Sequence, residues 1–194
     1  LLGVPFAQFL KLNSEFRYHY RIDKNQMIAS RIAGGVIWSY GNATTAPYTE
    51  QFYIGGANSI RAYSARSIGP GGYPPDKEKK YSYINHDIRM EANVEYRFRI
   101  LGDLHGAIFL DAGNVWLMRK DKDRPDGQLT LKNFPKQVAL GTGAGLRYDL
   151  DFLVFRFDWG VALHDPYDTG KKGYYNIPKF KDGMAWHFAI GYPF

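Results

Sequence analysis

Ile88-Arg89-Met90-Glu91-Ala92-Asn93-Val94-Glu95-Tyr96-Arg97-Phe98-Arg99-Ile100 alternates apolar and polar side chains without a break. Successive side chains of an extended strand point to opposite faces, so the even-numbered residues form one apolar face and the odd-numbered ones a face of charges and amides. A strand over a globular core seldom needs so many charged residues in a row. A strand with lipid on one side and a watery bore on the other does.

The same period runs through the chain on both sides of this stretch. Leu10, Leu12, Phe16, Tyr18, Tyr20 and Ile22 share a parity that only Ser14 interrupts, and residues 26–40 put Ile28, Ile32, Val36, Trp38 and Tyr40 on one side with Arg31 and Gly35 opposite. Beyond it, residues 105–118 set Ile108, Leu110, Ala112 and Trp116 against Phe109, Asp111 and Gly113. Residues 137–150 alternate apolar positions with Gly141, Gly143, Gly145, Arg147 and Asp149, and residues 153–163 alternate likewise. The last stretch carries Met184, Trp186, Phe188, Ile190, Tyr192 and Phe194 on one parity. Seven strands are predicted, most longer than the ~9–11 residues that cross a bilayer at a tilt and than the ~5–6 usual in globular sheets. Their connections alternate as well: short around Lys24, Gly102 and Asp151, long over residues 41–80, 119–133 and 165–179. The pattern predicts an all-β, antiparallel transmembrane barrel with long loops outside the cell and short turns in the periplasm. An odd strand count leaves an open edge in lipid, so the chain is expected to be part of a longer barrel.

Bulk properties exclude several classes. Mean hydropathy is −0.39, which alternation produces in a barrel as readily as solubility does. There is no cysteine, hence no disulfide framework or thiol nucleophile. The net charge of +6 is spread over many segments rather than gathered in a stripe, so no nucleic-acid partner is expected. Five scattered histidines have no metal-ligand spacing. His164, His187 and Asp158 share the polar side of two strands, but no serine or second base joins them. Neither a cofactor nor an enzymatic activity is expected.

The connection over residues 41–80 is far longer than the usual ~2–6 residues and is therefore expected to do something. Phe52, Tyr53, Ile54, Ile60 and Tyr63 are more apolar residues than a solvated linker needs, and the paired Gly55 and Gly56 permit backbone paths closed to other residues. It reads as a packed loop with one charge, Arg61, at its tip. Glycines on the inner side of residues 137–150 leave room for something to lie against the wall.

Gly55-Gly56-Ala57-Asn58-Ser59-Ile60-Arg61-Ala62-Tyr63 resembles the signature of the BamA/TamA superfamily of outer-membrane barrels, whose long loop carries a Val/Ile-Arg-Gly-Phe/Tyr tip into the lumen. Residues 92–97 look like the family's following strand motif with its Glu-x-Arg, and residues 109–116 like its Phe-x-Asp-x-Gly motif. Residues 143–147, 157–160 and 190–194 fit the last three strands. Ala62 departs from the family, which has glycine there; alanine resists positive φ, so a slightly altered tip is expected.

The resemblance implies that residues 1–194 are the C-terminal part of a sixteen-stranded barrel, with residues 41–80 folded inward, in the outer membrane of a Gram-negative bacterium. It implies that Ile60, Arg61, Ala62 and Tyr63 form the loop tip, with Glu95 and Asp111 as lumenal partners of Arg61; both lie on the polar parity of consecutive strands. Arg61→Ala is expected to weaken assembly more than Glu95→Gln, and arginine to be tolerated better at Asn93 than at Val94. It further implies a seam strand containing Gly183, Phe188, Gly191 and Phe194. The implied function is insertion of β-barrel proteins into the outer membrane or translocation of polypeptide. Outer-membrane lipids, unfolded outer-membrane proteins, accessory lipoproteins and periplasmic chaperones are the implied partners. A two-partner secretion pore of the same superfamily fits the same residues, and a small structural or adhesin-type barrel is the reading from another class. A long inward loop argues against the small barrel, whose interior has room only for side chains.

Overall fold

The computed structural model describes residues 6–74 and 86–194. Seven strands follow one another: β1 (Gln8–Arg21), β2 (Gln26–Tyr40), β3 (Ile88–Leu101), β4 (Leu104–Trp116), β5 (Ala139–Asp149), β6 (Val154–His164) and β7 (Met184–Ile190). They form one antiparallel sheet in sequence order, with β1 and β7 as its edges. No helix is long and apolar enough to cross a membrane, which says nothing against crossing by strands.

Local chemistry closes the short turns. The Asp23 carboxylate accepts the Asn25 amide at 2.6 Å between β1 and β2, and Asp149 does the same for Asp151 at 3.0 Å between β5 and β6. Gly102, at φ +54°, turns β3 into β4.

The period-two reading matches the exposure pattern. Leu10, Ile32 and Phe188 on the apolar parity are 69%, 65% and 68% exposed, while Glu95, Asp111, Arg147 and Asp158 on the other are fully buried. The register sets Asn93 opposite Asp111 and Glu95 opposite Phe109, so the charges of β3 and β4 meet on one face. β1 departs from this, being exposed on both faces over most of its length.

The inner face is not polar throughout. Ile37 from β2 and Val115 from β4 project inward and pack with Ile54, Ile60 and Ile68 of the long connection, all but excluded from solvent. The apolar core thus lies on the inner face of the sheet, between wall and loop, where each buried isoleucine contributes about 1.5–3 kcal/mol. Trp116, on the outward parity, is also fully buried. Phe134, from the short 3-10 helix Phe134–Lys136, stacks on it at 5.5 Å, and its indole N–H donates to Gln137 Oε1 at 3.0 Å.

The seam strand expected from the sequence is corrected. β7 stops at Ile190, and of the four residues assigned to it only Phe188 lies on the strand. Gly183 closes the 3-10 helix Phe180–Gly183 before it. At Gly191 the backbone swings to φ +84°, its N–H donates to Val154 O at 2.8 Å, and the chain leaves the sheet. Phe194 consequently turns inward, 6% exposed, with the Arg31 and Arg97 guanidinium carbons 5.5 and 5.6 Å from its ring centroid. Positive φ at Gly191, a proline with no N–H to give the ladder, and cations waiting on the inner face together favour this path over a longer strand.

Candidate functional site

The site is the tip of the β2–β3 connection and the wall it rests on. Gly55 and Gly56, at φ +89° and +92°, let the chain double back. Ser59 Oγ accepts the Gly55 amide at 3.0 Å, Gly56 donates to Tyr63 O at 2.8 Å, and Tyr63 donates to Ile60 O at 3.1 Å. These bonds tie residues 55–63 into a knot with Ile60 turned to the apolar core and Arg61 to the opposite side.

Arg61 is fully buried. Its Nε and Nη2 donate to the two oxygens of Asp111, each at 2.9 Å, its backbone N–H donates to Asp111 Oδ2 at 3.0 Å, and Nη1 donates to Glu95 Oε2. The guanidinium lies flat on Phe109, its carbon 3.6 Å from the ring centroid. Burial works against the charge. The hydrogen bond and charge of Asp111, followed by those of Glu95, outweigh it and raise the group's proton affinity above its ordinary value.

Neither carboxylate belongs to Arg61 alone. Glu95 also accepts from Arg97 at 2.7 Å and from Arg147 at 3.1 Å. Asp111 accepts from Asn93 Nδ2 at 2.8 Å, and the same amide holds Ser59 O at 2.9 Å. Arg147 reaches on to Asp158 at 2.5 Å. Asn93, Arg147 and Phe109 were all visible on the inward parity, but nothing in the sequence says which inward residues converge on one guanidinium.

Ala62 does not need positive φ, which removes the distortion expected for alanine at this place. It rests on inward glycines instead. A β-carbon on Gly160 would fall 2.1 Å from Arg61 O, and one on Gly141 would fall 2.3 Å from Ala62 Cβ. The glycine floor therefore sets how closely the tip approaches β5 and β6. His187 Nε2 caps Arg61 O from β7 at 3.0 Å, a contact the sequence reading missed. Tyr63 OH donates to His164 O at 2.6 Å, and burial, with Asp165 nearby, pushes this phenol up. Ile60, Arg61, Ala62, Tyr63, Glu95 and Asp111 thus come together. Gly183, Phe188 and Gly191 lie apart from them, and Phe194 reaches the margin of the cluster from below, its ring centroid 6.0 Å from the Arg61 guanidinium.

No group of His, Asp or Glu among the described residues is arranged to hold a metal ion. What the arrangement offers is mechanical, a loop pinned to a wall by buried charges.

Known proteins are similar to this chain over part of their length. The chain is 27% identical over 182 residues to the outer membrane protein assembly factor BamA of Nitratidesulfovibrio vulgaris, covering 93% of this chain and 20% of that protein. Over 89 residues it is 34% identical to BamA of Neisseria meningitidis serogroup B, covering 42% of this chain and 11% of that one. The crystal structure of BamA from Haemophilus ducreyi lacking POTRA domains 1–3 superposes with a TM-score of 0.65 at 17% identity, over 95% of this chain and 35% of that one. The chain spans about a fifth of the length of the first of these relatives. A model of the Omp85 superfamily domain matches residues 5–194, and the chain belongs to that superfamily of non-enzymatic outer-membrane β-barrels of Gram-negative bacteria.

Proposed function

We propose that residues 1–194 form the C-terminal part of a larger barrel that inserts β-barrel proteins into the outer membrane or moves polypeptide across it. The observation that carries this reading is the long loop docked on the inner wall through Arg61. A bore that takes in a whole loop tip is wider than a small structural barrel provides. A plug held by side-chain contacts and apolar packing, rather than by strand pairing, can move aside for a passing segment. The likeness to proteins named as assembly factors points the same way.

The edge that opens in this reading is β7. Its free edge would meet the first strand of the larger barrel, and at seven residues, against fourteen and fifteen for β1 and β2, it offers that seam few backbone hydrogen bonds to break. Lipids of the outer membrane, unfolded barrel proteins, accessory lipoproteins and periplasmic chaperones are the partners this role entails.

The test is reconstitution. The full-length protein in liposomes, given a urea-unfolded client barrel, is expected to speed the appearance of the client's compact, heat-modifiable form relative to empty liposomes. Arg61→Ala is expected to remove most of that gain. Passage of a soluble polypeptide without client insertion would point instead to a secretion pore, and neither activity to a structural barrel.

A further inference from the structure

The buried charges around the loop tip do not balance. Arg61, Arg97, Arg147 and Arg156 are linked by short contacts to three carboxylates, Glu95, Asp111 and Asp158. Each of the first three arginines donates to at least one carboxylate oxygen. Arg156 donates to none: fully buried, it stands 3.5 Å from Asp158 Oδ2 without a hydrogen bond, and its Nε and Nη1 have no acceptor among the described residues. Its one bond runs from Nη2 to Asn58 Oδ1 at 2.5 Å.

Asn58 lies in the same knot as Arg61, so this bond returns the network to the loop from which it started. The path leads from Arg61 through Glu95 to Arg147, through Asp158 to Arg156, and from there back to Asn58. Besides its neutral contacts with Asn93, His164 and His187, the tip therefore meets the charge network at two points of unequal chemistry. Arg61 meets two carboxylates at one end, and a neutral amide meets a buried cation short of acceptors at the other. Asn58 is itself exposed and borders a cavity of about 500 Å³, so the weaker point is also the accessible one. A charged acceptor forms a hydrogen bond roughly twice as strong as a neutral one, and a buried cation without enough acceptors is costly.

We propose that Arg156 is a second positioning residue for the loop tip, acting through Asn58, and that this contact, one carboxylate short, is the end at which the tip is released. It deepens no step of client insertion and stands without it. The consequence is a sign that ordinary packing would not give: a carboxylate placed at residue 58 holds the loop more tightly than the native amide.

Amide hydrogen exchange at residues 55–63 of the full-length protein in nanodiscs reads this directly. Asn58→Ala is expected to speed exchange about tenfold, the worth of one hydrogen bond to a charged group. Asn58→Asp is expected to slow it about tenfold below the native rate, as a charge-assisted bond replaces a neutral one. In an Arg156→Met background the difference between asparagine and aspartate at position 58 is expected to vanish, with overall folding checked by heat-modifiable mobility. Exchange in Asn58→Asp as fast as in Asn58→Ala would overturn the proposal, and so would slowing that persists without Arg156. Loop exchange reports the anchor whether or not clients are assembled, so loss of insertion with these rates intact would count against the assembly role alone.

Discussion

Arg61 gives up bulk water for two carboxylates and an aromatic face, and this exchange is favourable only while every partner stays in place. Arg61→Ala leaves Asp111 buried with Asn93 as its remaining side-chain donor, at a cost of about 3–5 kcal/mol. Three arginines on Glu95 reverse the ranking expected from the sequence. Glu95→Gln would leave Arg61, Arg97, Arg147 and Arg156 facing Asp111 and Asp158 alone, so it is expected to destabilise at least as much as Arg61→Ala. In urea unfolding of the refolded barrel, the double variant should fall well short of the sum of the two single losses, because both act on one network. Additive losses would mean that the two residues are held independently.

At the scale of elements, β3 supplies a test of facing. Val94 is exposed on the outer parity, and if that face meets lipid, arginine there is expected to cost about 2–4 kcal/mol near the midplane. Asn93 is not the innocuous control that parity suggested, since it is buried and bonds both Asp111 and Ser59. His19, on the inner parity of β1 and exposed, serves better, and His19→Arg is expected to change refolding little. Equal losses at residues 19 and 94 would reject the facing.

The start of β3 carries a second expectation. His86 forms a two-way backbone bridge with Phe52, at 2.9 and 2.8 Å, while its buried ring finds no hydrogen-bond partner among the described residues. Burial, with Arg124 adding to it, lowers this imidazole to about 3 from an ordinary 6.5. The folded loop therefore favours the neutral ring. Its full stability is present above pH 6.5 and is lost progressively as pH falls toward about 3. Protease protection of the loop should drop over that range in the native protein and drop less in His86→Phe. An identical acid response in the two would remove His86 as the cause.

Across the whole molecule, strand positions were legible because a period of two runs along the strands, and facing was legible from β2 to β6, whereas β1 is exposed on both faces and β7 stops at Ile190. The pairing of Arg61 with Glu95 and Asp111 was legible only through the resemblance, since these residues lie 34 and 50 positions away and no local rule links them. The inward turn of Phe194 was not legible. An alternating aromatic looks like one more strand residue, and the cations that receive its ring come from β2 and β3. Cysteine placed at Lys122 or Lys171 is expected to react with an impermeant reagent in intact cells; reaction only after the outer membrane is breached would invert the topology.

The glycine floor beneath Ala62 and the cap on Arg61 O also impose a timetable. Asp111 follows Arg61 by 50 residues, His164 follows Tyr63 by 101, and His187 follows Arg61 by 126. Each later contact exists only once another strand has joined the wall, and closing such distant pairs is slow. The tip must therefore wait for β4, settle further on β5 and β6, and receive its last bond from β7. Protection of residues 55–63 in a pulse-proteolysis series should lag behind protection of β2 and β3, so that this loop comes to rest only after strands that follow it in the chain.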